Sequence, residues 1–238
     1  MFLPIEHTDF DEFVRIRRPQ GDINRQCHNL HHSVVVTDEF MQSLEEGNEE
    51  NRKKWGEVLK TRVETGEPYI LFKDNTNKQN PQCYVDNGLE VVTSNICQEI
   101  SLFTDPLHTF VCCLSSLNLS KWEEWKDTNL VYDAIWFLDG VMQEFIDRAK
   151  KLPGMDSAVR FAEKGRALGL GVFGFHTLLQ DKLYSVEGLQ SRMLNNQIFK
   201  HIRKQADLAT ADLAEEYGEP EWCRGYGRRN THCLALRS

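Results

Sequence analysis

Short apolar runs of strand length alternate along this chain with amphipathic stretches of helical length, and that alternation restricts the fold more than any other feature. Val34-Val35-Val36 is wholly β-branched, Tyr69-Ile70-Leu71-Phe72 is a compact apolar run, and two strand-like segments at 93–100 and 110–119 flank a turn containing Pro106. Between these runs lie helical patterns. Thr37 is a suitable N-cap for a helix over 38–44, and a second covers 51–63 before Gly66 and Pro68 stop it. Ile135, Leu138, Met142, Phe145 and Ala149 recur at helical spacing until Pro153-Gly154. Leu189, Met193, Phe199, Ile202, Ala206, Ala209 and Leu213 form one stripe of a helix over 186–217, with Gly218 just past its end. Residues before Val34 look irregular, and 73–88, rich in Asn, Gln, Pro and Lys, look like a loop. Strands separated by long helices predict an α/β class with a parallel sheet or barrel.

Composition narrows the function. With 40% hydrophobic residues and 13 Phe, the 238-residue chain can build a core and is not a disordered segment. No apolar run reaches the roughly 18–20 residues that cross a bilayer, and Met1-Phe2-Leu3-Pro4-Ile5-Glu6-His7 is unlike a secretion signal, so a cytoplasmic protein without membrane contact is expected. A net charge of -8 opposes direct nucleic-acid binding. Seven cysteines, at 27, 83, 97, 112, 113, 223 and 233, are an odd number in such a chain and argue against a disulfide framework.

Several constellations invite chemistry. Gly169, Gly171 and Gly174 have G-x-G-x-x-G spacing, but Lys164, Gly165 and Arg166 stand where a buried strand should lead into a nucleotide turn, so tight backbone packing is the better reading. Cys27-His28-Asn29-Leu30-His31-His32 carries metal-ligand types without a second ligand pair or any C-x-x-C, which favours locally satisfied histidines. Asn95-x-Cys97-x-Glu99 is more suggestive. On an extended backbone these three would point to one side, bringing together an amide that orients hydroxyls, a carboxylate that accepts a proton, and a thiol that donates a hydrogen atom or attacks. Cys112 follows in the next strand-like segment, where a hairpin would bring both thiols to one pocket and permit reduction chemistry.

Ser94-Asn95-Ile96-Cys97-Gln98-Glu99-Ile100 resembles the S-N-L-C-x-E-I segment of the large, catalytic subunit of class I ribonucleotide reductase, and Cys112-Cys113-Leu114-Ser115-Ser116-Leu117-Asn118-Leu119 is similar to its C-x-L-S-x-x-N-L segment. Gly66-Glu67-Pro68-Tyr69-Ile70, Arg166 to His176 and Gly227-Arg228-Arg229-Asn230-Thr231-His232 are similar, in the same order, to its G-x-P-Y-I, R-x-x-G-L-G-V-x-G and G-x-R-N-T-x segments.

The resemblance implies an α/β fold that is part of a ten-stranded barrel with a central finger loop, with 1–238 as a central portion lacking upstream regulatory and downstream barrel parts. It implies that Cys97 carries the thiyl radical that takes the ribose 3′-hydrogen. Glu99 accepts the 3′-hydroxyl proton, Asn95 hydrogen-bonds substrate, and Ser94 to Glu99 form the substrate-binding segment. Cys112 becomes one member of the redox-active pair and Cys113 a packing neighbour, because only that register keeps L-S-x-x-N-L. Electrons then come from thioredoxin or glutaredoxin. The chain itself would bind no metal, since the radical is supplied by a metal-containing small subunit, and the substrate is a ribonucleoside diphosphate. Activity would require the remaining parts of the large subunit. The rival expectation is a non-catalytic truncated remnant, an interaction module that pairs with reductase subunits.

Overall fold

Among the described residues both sheets are parallel, as the alternation of strands and helices predicts. The computed structural model describes residues 1–111 and 113–235. The chain divides into two compact units, Met1–Asn80 with Glu90–Thr104 and Pro81–Leu89 with Asp105–Ser238.

The first unit holds strands β1 (Phe2–Pro4), β2 (Ser33–Val36) and β3 (Tyr69–Phe72) in that spatial order, with Ser33 opposite Phe2 on one side and Tyr69 on the other. Every residue of β2 is buried, which fits the uniformly apolar Val34-Val35-Val36 to the centre of a parallel sheet. Helices α1 (Phe10–Phe13), α2 (Asp38–Glu45), α3 (Glu49–Thr65) and α4 (Lys73–Lys78) surround it. Thr37 caps α2 by accepting the Phe40 amide at 3.1 Å, and Gly66, at φ +82°, ends α3 in the left-handed conformation that glycine adopts without strain. Ile5, Phe10, Val14, Val34, Val36, Phe40 and Val58 form the core. Two expectations need correction. The N-terminus is a strand rather than irregular, because Met1 O receives the Ser33 amide and Ile5 N donates to Val35 O at 3.0 Å. The polar stretch after β3 is not a loop: α4 forms there, and Asn77 ties it down by donating to Val91 O and accepting Val91 N, both at 2.8 Å.

The second unit contains α5 (Gln82–Asp86), β4 (Cys113–Asn118), α6 (Trp122–Trp125), α7 (Leu130–Ala149), α8 (Asp156–Gly165), β5 (Leu168–Phe173), α9 (Phe175–Asp181) and α10 (Leu189–Tyr217). β4 and β5 pair in parallel from Cys113 opposite Leu168 to Asn118 opposite Phe173. Residues 232–235 run along β5 as well: Leu168 N donates to His232 O at 2.8 Å, Leu170 N to Cys233 O at 2.9 Å and Ala235 N to Leu170 O at 3.2 Å. Packing explains the glycine spacing. A Cβ on Gly169 would stand 2.3 Å from Leu114 Cδ2 and 3.0 Å from the Ala235 Cβ, and Gly174 has φ +78° with Asn118 Oδ1 2.8 Å from where its Cβ would lie. The two long helices α7 and α10 cover the sheet through Ile135, Leu138, Met142, Ile198, Ile202 and Ala206.

A buried ionic cluster fastens this unit. Asp139, on α7 and 4% exposed, receives Arg166 Nε at 2.9 Å, Arg166 Nη2 at 2.8 Å, Arg229 Nε at 3.0 Å and Asn230 Nδ2 at 2.8 Å. Asn230 in turn donates to Arg166 O at 3.0 Å and accepts the Thr210 hydroxyl from α10 at 2.9 Å. Burial would raise the Asp139 pKa, but the hydrogen bonds and charges of Arg166, Asn230 and Arg229 outweigh it and hold the carboxyl below the usual carboxylate range.

Asp139→Ala leaves Arg166 buried without its counter-charge, so urea unfolding should show a loss of about 3–5 kcal/mol, against at most about 0.5 kcal/mol for breaking the exposed Arg203–Asp207 pair. The sign with pH follows from the depressed folded pKa. The stabilisation is complete above the ordinary carboxylate value near ~4 and is lost as pH falls below it, a dependence that Asp139→Asn should flatten.

Candidate functional site

Residues 93–100 do not form the extended strand expected of them. Gln98 N donates to Asn95 O at 3.2 Å, closing a turn with Ile96 and Cys97 at its tip, and Gln98 takes φ +66°. The alternation that would put Asn95, Cys97 and Glu99 on one side therefore does not apply. The turn is favoured because local polar groups bond one another in place of a neighbouring strand. Ser94 Oγ donates to Ile100 O at 2.6 Å, Asn95 Oδ1 accepts Ile100 N at 3.4 Å, and Gln98 Nε2 donates to Asn95 O at 3.2 Å. Ser94 and Ile100 are buried at the base while Cys97 is exposed at the tip.

The sequence-predicted residues divide. Ser94, Asn95, Ile96 and Gln98 line a cavity of ≈ 350 Å³ whose other walls include Asn29, His31 and Tyr69, whereas Cys97 and Glu99 are not part of that lining. Ser33, at the head of β2, donates to Gln98 Oε1 at 3.4 Å and anchors the turn to the sheet. Glu99 has Oε2 buried with no hydrogen-bond partner among the described residues, a costly state for a carboxylate oxygen unless a hydroxyl or amide meets it. Cys112 lies outside the described residues. Its neighbour Cys113 opens β4, donates to Leu138 O at 3.6 Å, and has its thiol pKa pushed up by burial and then by Asp139. Neither half of the hairpin expected from 93–100 and 110–119 behaves as expected among the described residues: 93–100 supplies no strand, and β4 takes β5 as its parallel partner.

One cluster on the cavity wall was missed from the sequence as a unit. Glu67, 6% exposed, receives Arg17 Nη1 at 2.6 Å, meets His31 Nδ1 at 2.6 Å and His32 Nδ1 at 3.3 Å, and accepts the His32 amide at 3.2 Å. Burial lowers the His32 pKa against the opposing bonds to Val14 O and Glu67; at Glu67 burial pulls upward, and His31, His32 and Arg17 overcome it. His31 and His32 are thus satisfied within the protein, but by the distant Glu67 rather than by the local partners expected. The available signal was the acid immediately before Pro68: the β2–β3 register, with Tyr69 N donating to His32 O at 2.9 Å, sets residue 67 beside the histidine pair. Among the described residues no three His, Cys, Asp or Glu side chains gather to hold a metal ion. No helix among them is long and apolar enough to cross a membrane.

The family described as the ribonucleotide reductase barrel domain matches residues 1–56 and 49–232. A frog virus 3 protein assigned as a ribonucleoside-diphosphate reductase large subunit is 39% identical over 99% of this chain and 44% of its own length. The large subunit of Invertebrate iridescent virus 3 is 41% identical over 76% of this chain and 29% of its own length. The class Id ribonucleotide reductase alpha subunit of Actinobacillus ureae superimposes with a TM-score of 0.94 at 40% identity, over 99% of this chain and 44% of that one. The chain therefore spans less than half the length of these relatives.

Removing the Ser94 hydroxyl tests the clamp beneath the turn. In Ser94→Ala, hydrogen exchange at the Gln98 and Ile100 amides should accelerate about 2- to 12-fold, the equivalent of about 0.5–1.5 kcal/mol, while the Tyr69 amide, bonded to His32 O, stays unchanged.

Proposed function

The chain belongs to the ribonucleotide reductase barrel-domain family, and from that premise we propose that it is a catalytic-core segment of a class I ribonucleoside-diphosphate reductase large subunit, with the turn at 95–98 as the tip of the finger loop. A thiyl radical on Cys97 takes the 3′-hydrogen of the ribose. Glu99 accepts the 3′-hydroxyl proton, a general-base contribution of roughly 10²–10⁴-fold, and Asn95 hydrogen-bonds the substrate. The 2′-hydroxyl leaves as water while two thiols, Cys112 and a partner cysteine, are oxidised to a disulfide that thioredoxin or glutaredoxin reduces again. A metal-containing small subunit supplies the radical, and no step on this chain's residues needs a metal.

The observation that carries the reading is the pairing of an exposed thiol at the apex of a clamped turn with a buried carboxylate oxygen, two residues later, that has no partner among the described residues. Such an oxygen is satisfied when a substrate hydroxyl reaches it. The exposure of Cys97 has its own consequence. A sulfur radical open to solvent is quenched, so chemistry requires further segments to enclose the tip. β1 and β3 are the edge strands of their sheet among the described residues, where a ten-stranded barrel would continue the pairing.

The test is reconstitution of the chain with the complementary large-subunit segments and a radical-bearing small subunit, followed by ribonucleoside diphosphate reduction with a dithiol. Turnover should disappear in Cys97→Ala and in Cys112→Ser, fall about 10²–10⁴-fold in Glu99→Gln, and survive in Cys113→Ser. Full activity of Cys97→Ala overturns the mechanism, and assembly without any turnover favours the non-catalytic interaction module.

A further inference from the structure

One guanidinium in the second unit bonds one buried thiol and its charge reaches two more. α5 packs on the 3₁₀ turn Glu221–Cys223: Asn87 Nδ2 donates to Trp222 O at 3.4 Å, the Tyr84 ring meets those of Trp222 and His232 edge-on at 6.3 and 4.8 Å, and the Tyr226 hydroxyl donates to Asp86. This docking makes Cys83 of α5 and Cys223 of the turn hydrogen-bonding neighbours, both free thiols and only 1% and 0% exposed. Arg228 Nη2 donates to Cys233 Sγ at 3.7 Å, and its charge acts on Cys83 and Cys223 as well.

We propose that Cys83 and Cys223 are an oxidisable pair that peroxide converts into a disulfide stapling α5 to the 221–223 turn. The Cys83 thiolate attacks hydrogen peroxide; an S–O bond forms, the O–O bond breaks and hydroxide leaves. Cys223 sulfur then attacks the sulfenic sulfur of Cys83, the S–S bond forms, the S–O bond breaks, and the oxygen departs as water with the Cys223 proton. Two thiols and one peroxide give one disulfide and two waters.

The roles follow from the surroundings. The hydrogen bond from Cys223 draws the Cys83 thiol pKa down against the opposing effect of burial, and Arg228 adds to the lowering, so Cys83 is the thiol that ionises. The same hydrogen bond, then burial, pushes Cys223 up and keeps it protonated until it resolves the sulfenic acid. Cys233 is pushed up chiefly by burial and is held by Arg228, which leaves it out of the exchange. Burial also selects the oxidant: a molecule of two oxygens can reach the pair, whereas a bulky disulfide such as oxidised glutathione cannot.

The experiment treats the reduced full chain with hydrogen peroxide, alkylates the remaining thiols and maps the peptides. The expected product is a Cys83–Cys223 disulfide that forms with peroxide and not with oxidised glutathione, and that gives way to scattered pairings when the chain is first unfolded in urea. Cys223→Ser should leave a Cys83 sulfenic acid trappable by dimedone, and Arg228→Met should slow the reaction about two- to threefold, because the smaller thiolate fraction is partly offset by the greater nucleophilicity of a more basic sulfur. If Cys223→Ser does not fold, the wild-type map decides alone. Recovery of Cys83 and Cys223 as alkylated thiols after the exposed Cys27 and Cys97 have been oxidised overturns the proposal, as does pairing of Cys83 with Cys233.

Discussion

One buried carboxylate organises the second unit. Asp139 projects from α7 and is met by Arg166 at the junction of α8 and β5, by Arg229 and Asn230 from the segment after α10, and through Asn230 by Thr210 of α10. Four stretches far apart in sequence thus share one anionic centre. Such a centre must be complete, because any partner left over is a buried charge or amide with nothing to bond. The consequence reaches beyond stability. Asn230 and Thr231 lead directly into 232–235, and fixing Asn230 against Arg166 O fixes the register in which that segment runs along β5. Arg166 itself sits at φ +44°, a backbone cost that the cluster of hydrogen bonds on its side chain and carbonyl offsets.

The first unit uses the same device at smaller scale. Glu67 gathers Arg17, His31 and His32 where β3 begins beside β2, and Ser33 in the same strand reaches Gln98. The turn bearing Cys97 is therefore tied to the central strand of a sheet by a side-chain contact rather than by strand pairing. A turn held this way keeps its base in place while its tip stays free of the ladder, which suits a loop that must meet a ligand.

The architecture was legible in the sequence wherever one period dominated. Val34 to Val36, Tyr69 to Phe72 and the stripes on α7 and α10 formed the elements their spacing implied, and the glycines at 169 and 174 proved to be packing glycines. Misreadings fell where polar bonding overrode pattern. Residues 73–78 have loop composition yet form α4, since Asn77 bonds both polar groups of Val91. Segment 93–100 has a strand's composition yet turns, since Ser94, Asn95 and Gln98 satisfy one another locally. The motif order carried the family correctly even though the geometry first assumed for the central motif was an extended one. The Asp139 cluster was invisible because it joins residues distant in sequence and no periodicity marks a lone acid as the one that will be buried, while for Glu67 only its place before Pro68 gave a signal.

The difference between strand and turn changes the chemical argument for Asn95, Cys97 and Glu99. Alternation on a strand would have made their convergence a property of any extended segment, and hence weak evidence for a site. A turn has no such built-in convergence, so each side chain's state must be explained separately. Asn95 spends its side-chain oxygen on the loop's own Ile100 amide, Cys97 is carried outward by the turn, and Glu99 is left with a buried oxygen that nothing among the described residues satisfies. A purely structural loop gains nothing from that last feature, since a shorter residue would avoid burying an unpaired polar oxygen. Its presence two residues after an exposed thiol is accounted for when the oxygen's partner is a hydroxyl brought by a ligand, and this is the physical support for the proposal that the turn serves catalysis.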